Sequence, residues 1–146
     1  MQSLLLTLSL LTTLLLLFSS LSSIASAADA SGNVGGTIMC SGNPVGRNSS
    51  LVLSAFMGDV PVYGNWEITS IDSLGNPISV TGYLNAGNIG VDSFSLEGTV
   101  TSDSICGIQV PTEVALMGDC GSSGTVRVAS NDVLEGDFMG AIQCTS

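Results

Sequence analysis

Apolar and polar side chains alternate with a period of two along most of the chain beyond residue 27. Trp66 and Ile68 share one parity against Glu67 and Thr69; Ile78, Val80, Gly82 and Leu84 oppose Ser79, Thr81, Tyr83 and Asn85. Phe94, Leu96, Gly98 and Val100 oppose Ser95, Glu97, Thr99 and Thr101, and Leu134, Phe138 and Ile142 oppose Glu135, Asp137 and Gln143. This is the pattern of strands with one face in a core and one in water, and no window after residue 27 carries the 3.6-residue period of an amphipathic helix. The alternation predicts strands at 34–40, 50–57, 65–72, 77–85, 92–102, 105–110, 112–118, 124–130 and 133–144. Turns are expected at Ser41-Gly42-Asn43-Pro44, Gly58-Asp59-Val60-Pro61, Leu74-Gly75-Asn76-Pro77, Asn85-Ala86-Gly87-Asn88 and Gly118 to Gly124. Val80-Thr81-Gly82, Leu96-Glu97-Gly98 and Leu134-Glu135-Gly136 each place a glycine mid-strand. Such a glycine weakens a strand, so its recurrence points to sharp coiling or a close approach.

These strands imply an all-β domain. An antiparallel two-sheet β-sandwich of eight or nine short strands is the preferred closure, and a small closed β-barrel is the alternative. A shift of sixty positions lays Ala55-Phe56-Met57-Gly58-Asp59 on Ala115-Leu116-Met117-Gly118-Asp119. It also matches Gly64, Ser70, Asp72 and Leu74 with identical residues, and Trp66 and Ile68 with Val126 and Val128. One strand–turn–strand unit used twice, an internal duplication, would produce this.

The first residues read differently. Leu4 to Phe18 is leucine-dominated, and Ala25-Ser26-Ala27 offers the small residues a signal peptidase needs. A helical signal peptide over 1–27, cleaved after Ala27, leaves a single domain over 28–146. The apolar core is shorter than the ~20 residues of a membrane-spanning helix. Export places Cys40, Cys106, Cys120 and Cys144 in an oxidising compartment, where two disulfides are expected. Cys106–Cys120 is the expected local clip. Cys40–Cys144 is the expected end-to-end staple, because Gly36 to Cys40 and Gly140 to Cys144 share the pattern Gly-x-Ile-x-Cys. The staple requires two strands that run parallel or face each other across two sheets.

The chain has twelve acidic residues against two arginines, no Lys and no His, for a formal net charge of −10. Such a surface repels nucleic acid and anionic lipid and favours cations or basic partners. Without His or Lys, imidazole bases, Schiff bases and His-ligated metals are excluded, leaving acid–base work to carboxylates. Glu67, Glu97, Glu113 and Glu135 are the candidates for a glycosidase-type pair, but Glu67, Glu97 and Glu135 lie on outward parities. We therefore expect no enzyme. Asp59, Asp119, Asp72 and Asp132 occupy matched turns and strand ends, where they cap turns or ligate Ca²⁺. No cofactor other than Ca²⁺ is indicated. Asn48-Ser49-Ser50 is an N-glycosylation acceptor, and Arg127 lies on an outer parity where a strand carboxylate can pair with it.

Gly64-Asn65-Trp66, followed by a hairpin and Thr81-Gly82-Tyr83, resembles the opening of lipocalin- and avidin-type barrels over about twenty residues. The resemblance implies a small-ligand barrel with Trp66 at its mouth, stacking on the ligand. The leading expectation remains a secreted or cell-surface acidic β-domain with a structural or interaction role in adhesion or assembly. It binds a protein partner or itself, and neither nucleic acid nor, once the leader is cleaved, a membrane. Asp29 to Gly36 could serve such assembly by adding to a neighbour's sheet edge.

Overall fold

The computed structural model describes residues 28–58 and 61–145. The expected signal peptide, Asp59 and the last residue lie outside the described residues. Eight antiparallel strands follow one another: β1 (Ala28–Cys40), β2 (Asn43–Met57), β3 (Tyr63–Ile71), β4 (Pro77–Ile89), β5 (Ser93–Asp103), β6 (Thr112–Asp119), β7 (Gly121–Ser130) and β8 (Leu134–Thr145). Each pairs with its sequence neighbours, and β8 pairs back onto β1 to close a barrel. The two-sheet sandwich is thus corrected to the closed barrel. The strands are long enough for the sheet to curl and meet itself, and closure leaves no unpaired edge.

Two local expectations fail for visible reasons. Residues 105–110 alternate like a strand but form the β5–β6 connection. The Asp103 carboxylate accepts the N–H groups of Ile105 and Cys106 on Oδ1 and of Ile108 on Oδ2, so those donors are satisfied locally. Asn85 to Asn88 is not a turn either. It stays within β4, where a register shift between Leu84 and Ala86 absorbs an extra residue as a bulge.

The inward parities hold. Trp66, Ile68, Val80, Leu84, Phe94, Leu96, Val100, Leu134, Phe138 and Ile142 are all buried. They fill the barrel with side chains, while Ser, Thr, Asn and carboxylate residues alternate outward. This is the reverse of a membrane barrel, which is apolar outside and polar within. Two of the mid-strand glycines make room for rings: a Cβ on Gly82 would lie 2.8 Å from the Trp66 indole, and one on Gly136 2.6 Å from the Phe138 ring.

Loss of the ninth strand also decides the disulfides. With eight strands β1 and β8 are antiparallel neighbours, and Cys40 lies opposite Leu134, ten positions along β8 from Cys144. That is about 34 Å by strand rise, far beyond a disulfide. The expected Cys106–Cys120 and Cys40–Cys144 pairs are therefore corrected to Cys40–Cys106 and Cys120–Cys144, with Cα atoms 5.4 and 5.8 Å apart. Cys40 ends β1, four strands around the barrel from β5. Its bond to Cys106 consequently ties the β5–β6 connection to the far rim, and buried Ile108 lies in that connection. Cys120, the single residue between β6 and β7, is held to β8 at the other end.

The amino-terminal stretch is not a free strand for donation. Asp29 to Gly32 pair on one side with Phe56 to Leu53 of β2 and on the other with Thr145 to Ile142 of β8. The repeat is only partly structural. Its copies are strand pairs β2–β3 and β6–β7, half a barrel apart, but Ala55 lies opposite Gly64 whereas Ala115 lies opposite Ala129 rather than Gly124.

Candidate functional site

The outer wall formed by β2 to β6 carries the most distinctive surface. Inward Ala55, Trp66 and Leu84 force their neighbours Phe56, Asn65 and Tyr83 outward, because strand side chains alternate. Of the six aromatic side chains among the described residues, Trp66, Phe94 and Phe138 are buried. The other three, Phe56, Tyr63 and Tyr83, are 42%, 54% and 44% exposed, and all lie on this wall. Phe56 pairs with Tyr63, and their rings stack with centroids 5.4 Å apart.

Tyr83 sits at the centre. It lies directly opposite Asn65 on β3 and Thr99 on β5. Glu67 lies opposite Thr81 and Glu97 opposite Ala86, so both are diagonal neighbours of Tyr83. Diagonal positions are separated by about 7–8 Å, within reach of long side chains. Glu113, opposite Thr99, extends the row onto β6. Two depressions mark the wall. One of about 380 Å³ has Gly82 and Trp66 at its floor and Asn65, Glu67 and Tyr83 at its rim. The other, of about 230 Å³, is lined by Asn85, Glu97, Thr99 and Glu113.

The carboxylates of this wall have no arginine beside them. Arg47 belongs to the far end of β2, opposite Ile71, and its guanidinium reaches over the Gly75 turn. Arg127 is on β7, where it meets Asp137 across the strands at 3.9 Å, the one ion pair among the described residues. Both partners are well exposed, so this pair adds little stability. A larger depression of about 540 Å³ lies beside it, between Met117 and Met139. There Arg127 offsets one of the two lining carboxylates, Asp137, and the other, Asp119, accepts the Thr125 hydroxyl, whereas the aromatic wall carries carboxylates and exposed rings with no arginine among them.

The residues singled out from sequence are dispersed. Trp66 is 2% exposed, packed against Gly82 in the core rather than at a mouth. Its indole Nε1 is buried without a hydrogen-bond partner. Asp72 caps the β3–β4 turn, accepting the N–H groups of Leu74 and Asn76 at 2.9 and 2.8 Å. The Asn76 bond leads in holding its carboxyl below the usual value; desolvation opposes it and the Leu74 bond adds to it. Asp119 accepts the Thr125 hydroxyl at the opposite end of the barrel, and Asp132 lies in the β7–β8 turn. Asp59 lies outside the described residues, and no three metal-ligating side chains converge among the described ones. Asn48 is exposed with φ of 53°, at the register shift between Arg47 and Ser50. Glu135 is on β8, on a different wall from Glu67, Glu97 and Glu113.

Tyr63, Tyr83 and Phe56 were identifiable as outward residues by parity from buried Trp66, Leu84 and Ala55. Their meeting on one wall was not, because it needs strand order and register. The eight-stranded up-and-down barrel is the architecture implied by the lipocalin and avidin resemblance. However, Gly64-Asn65-Trp66 stands in the third strand rather than the first. Comparison with protein families, with curated proteins and with solved structures finds no match to this chain.

Proposed function

We propose that this protein is an exported, non-catalytic interaction module that engages a partner through the outer wall of β2 to β6. The observation that carries this reading is the segregation of its aromatics. Three fill the core and the other three share one exposed wall with unpaired carboxylates. Exposed aromatic clusters rimmed by polar residues are the composition of contact surfaces. Two disulfides fit an oxidising, extracellular setting. Binding of a small ligand inside the barrel has less support, since core side chains occupy the interior and the stapled β5–β6 connection reaches across one end.

The test is site-specific photo-crosslinking of the exported protein in its own cells. A benzophenone side chain replaces Tyr83 in one variant and Met139, four strands away, in the other. Discrete adducts from position 83 and none from position 139 are expected. Adducts from both positions alike, or from neither, would remove the reading.

A further inference from the structure

We infer that the occupant of this wall is a cationic protein segment, with a lysine or arginine seated on the Tyr83 ring between Glu67 and Glu97. The inference rests on the interaction reading above and gives it a partner chemistry. A cation is held by the face of a tyrosine within ~6 Å of the ring centre. Here the ring has a carboxylate at a cross-strand diagonal on each side, Glu67 on β3 and Glu97 on β5. A side chain over Tyr83 would therefore meet ring and carboxylates together, and charge-assisted hydrogen bonds are stronger than neutral ones.

Next along the wall, Glu97 and Glu113 bound the depression beside Asn85, which accepts a second cationic group. Asn65 and Thr99, opposite Tyr83, offer hydrogen bonds to the segment's backbone. The complementary charge cannot come from this chain's own wall: it has no Lys, Arg47 lies over the Gly75 turn, and Arg127 is on β7. A net charge of −10 adds long-range attraction for a basic partner. Phe56 and Tyr63 extend the contact with apolar area, matching a segment in which basic and apolar residues mix.

The experiment is calorimetric titration of the protein with a capped peptide of alternating lysine and leucine, at low and at physiological salt. We expect binding that weakens as salt rises. Glu97→Gln and Tyr83→Ala should each weaken it about five- to tenfold, while Tyr83→Phe retains it. Glu135→Gln removes the same charge from another wall and should change affinity less than about twofold; melting curves verify that each variant is folded. Equal weakening by Glu97→Gln and Glu135→Gln would reduce the effect to net charge and overturn the inference. So would the absence of binding. Loss with Tyr83→Ala but none with Glu67→Gln or Glu97→Gln would also overturn it, and would point to an uncharged partner such as a glycan. If the peptide fails while position 83 still crosslinks, the cationic assignment falls and the interaction module stands; if both fail, both fall.

Discussion

The two copies of the sixty-residue repeat occupy opposite sides of the barrel, and their likeness ends partway. At Trp66 and Val126, at Ile68 and Val128, and at Ser70 and Ser130 the matched residues are all buried. Ser70 donates its hydroxyl to the Arg47 carbonyl of β2, and Ser130 donates its own to the Glu113 carbonyl of β6. Each serine thus links a strand to the one before it. Upstream the faces invert: Ala55 is buried and Phe56 exposed, whereas Ala115 is exposed and Leu116 buried. Downstream the contrast is wider. Leu74 is 84% exposed in the β3–β4 turn, and the identical Leu134 is fully buried at the start of β8.

Hairpin register explains the inversion, since six residues lie between paired Phe56 and Tyr63 but seven between paired Gly118 and Val126. Residues 72–76 join β3 to β4, but only 131–133 join β7 to β8. Since side chains alternate, an odd slip of register moves every residue to the other face. The inversion changes the surface. It puts Phe56 on the outer wall with Tyr63, while its counterpart Leu116 fills the core.

The sharpest way to break this comparison is to truncate the identical leucines. Leu134→Ala should destabilise the protein by about 2–5 kcal/mol in urea unfolding, the usual cost of a core cavity. Leu74→Ala should change stability by no more than about 0.5 kcal/mol. Equal losses would mean that the copies are equivalent after all.

Where the copies agree, the serines sharpen it. Ser130→Ala should cost about 1 kcal/mol, the ordinary worth of one hydrogen bond. Ser70→Ala should cost more, about 2 kcal/mol, because it also strips buried Ser49 of its 2.8 Å partner. A double substitution with Ser49→Ala separates the terms and should cost little beyond Ser70→Ala alone.

The smallest effect belongs to Asp72. Its folded carboxyl is held below the ordinary value of 3.8, first by the Asn76 N–H, so the ionised form stabilises the folded state. That contribution is complete above the ordinary value and disappears as pH falls through the lower folded one. Melting temperature followed from pH 5 to pH 2 should show a slight extra decline in the wild type that Asp72→Asn lacks. Parallel curves would contradict this.

Much of the wall was legible residue by residue. The parity of Tyr83 against Leu84, and of Glu67 and Glu97 against Ile68 and Leu96, places those side chains outside without knowledge of the fold. The disulfides show where that local reading stops. Ile105 to Val110 alternates as a strand does, yet Asp103 gathers three of its N–H groups and the segment becomes a connection. One strand fewer turns β8 antiparallel to β1, and both cysteine pairs change with it.

The sequence by itself determined the class and the faces. Period-two alternation, turn residues and four cysteines specify half-buried strands with oxidised cross-links, because burial of alternate side chains is a local property of extended backbone. Closure, register and the meeting of Tyr63, Tyr83, Glu67 and Glu97 were decided only in three dimensions. Which strands become neighbours depends on connection lengths and on how far the sheet curls, and no single stretch of chain contains that information.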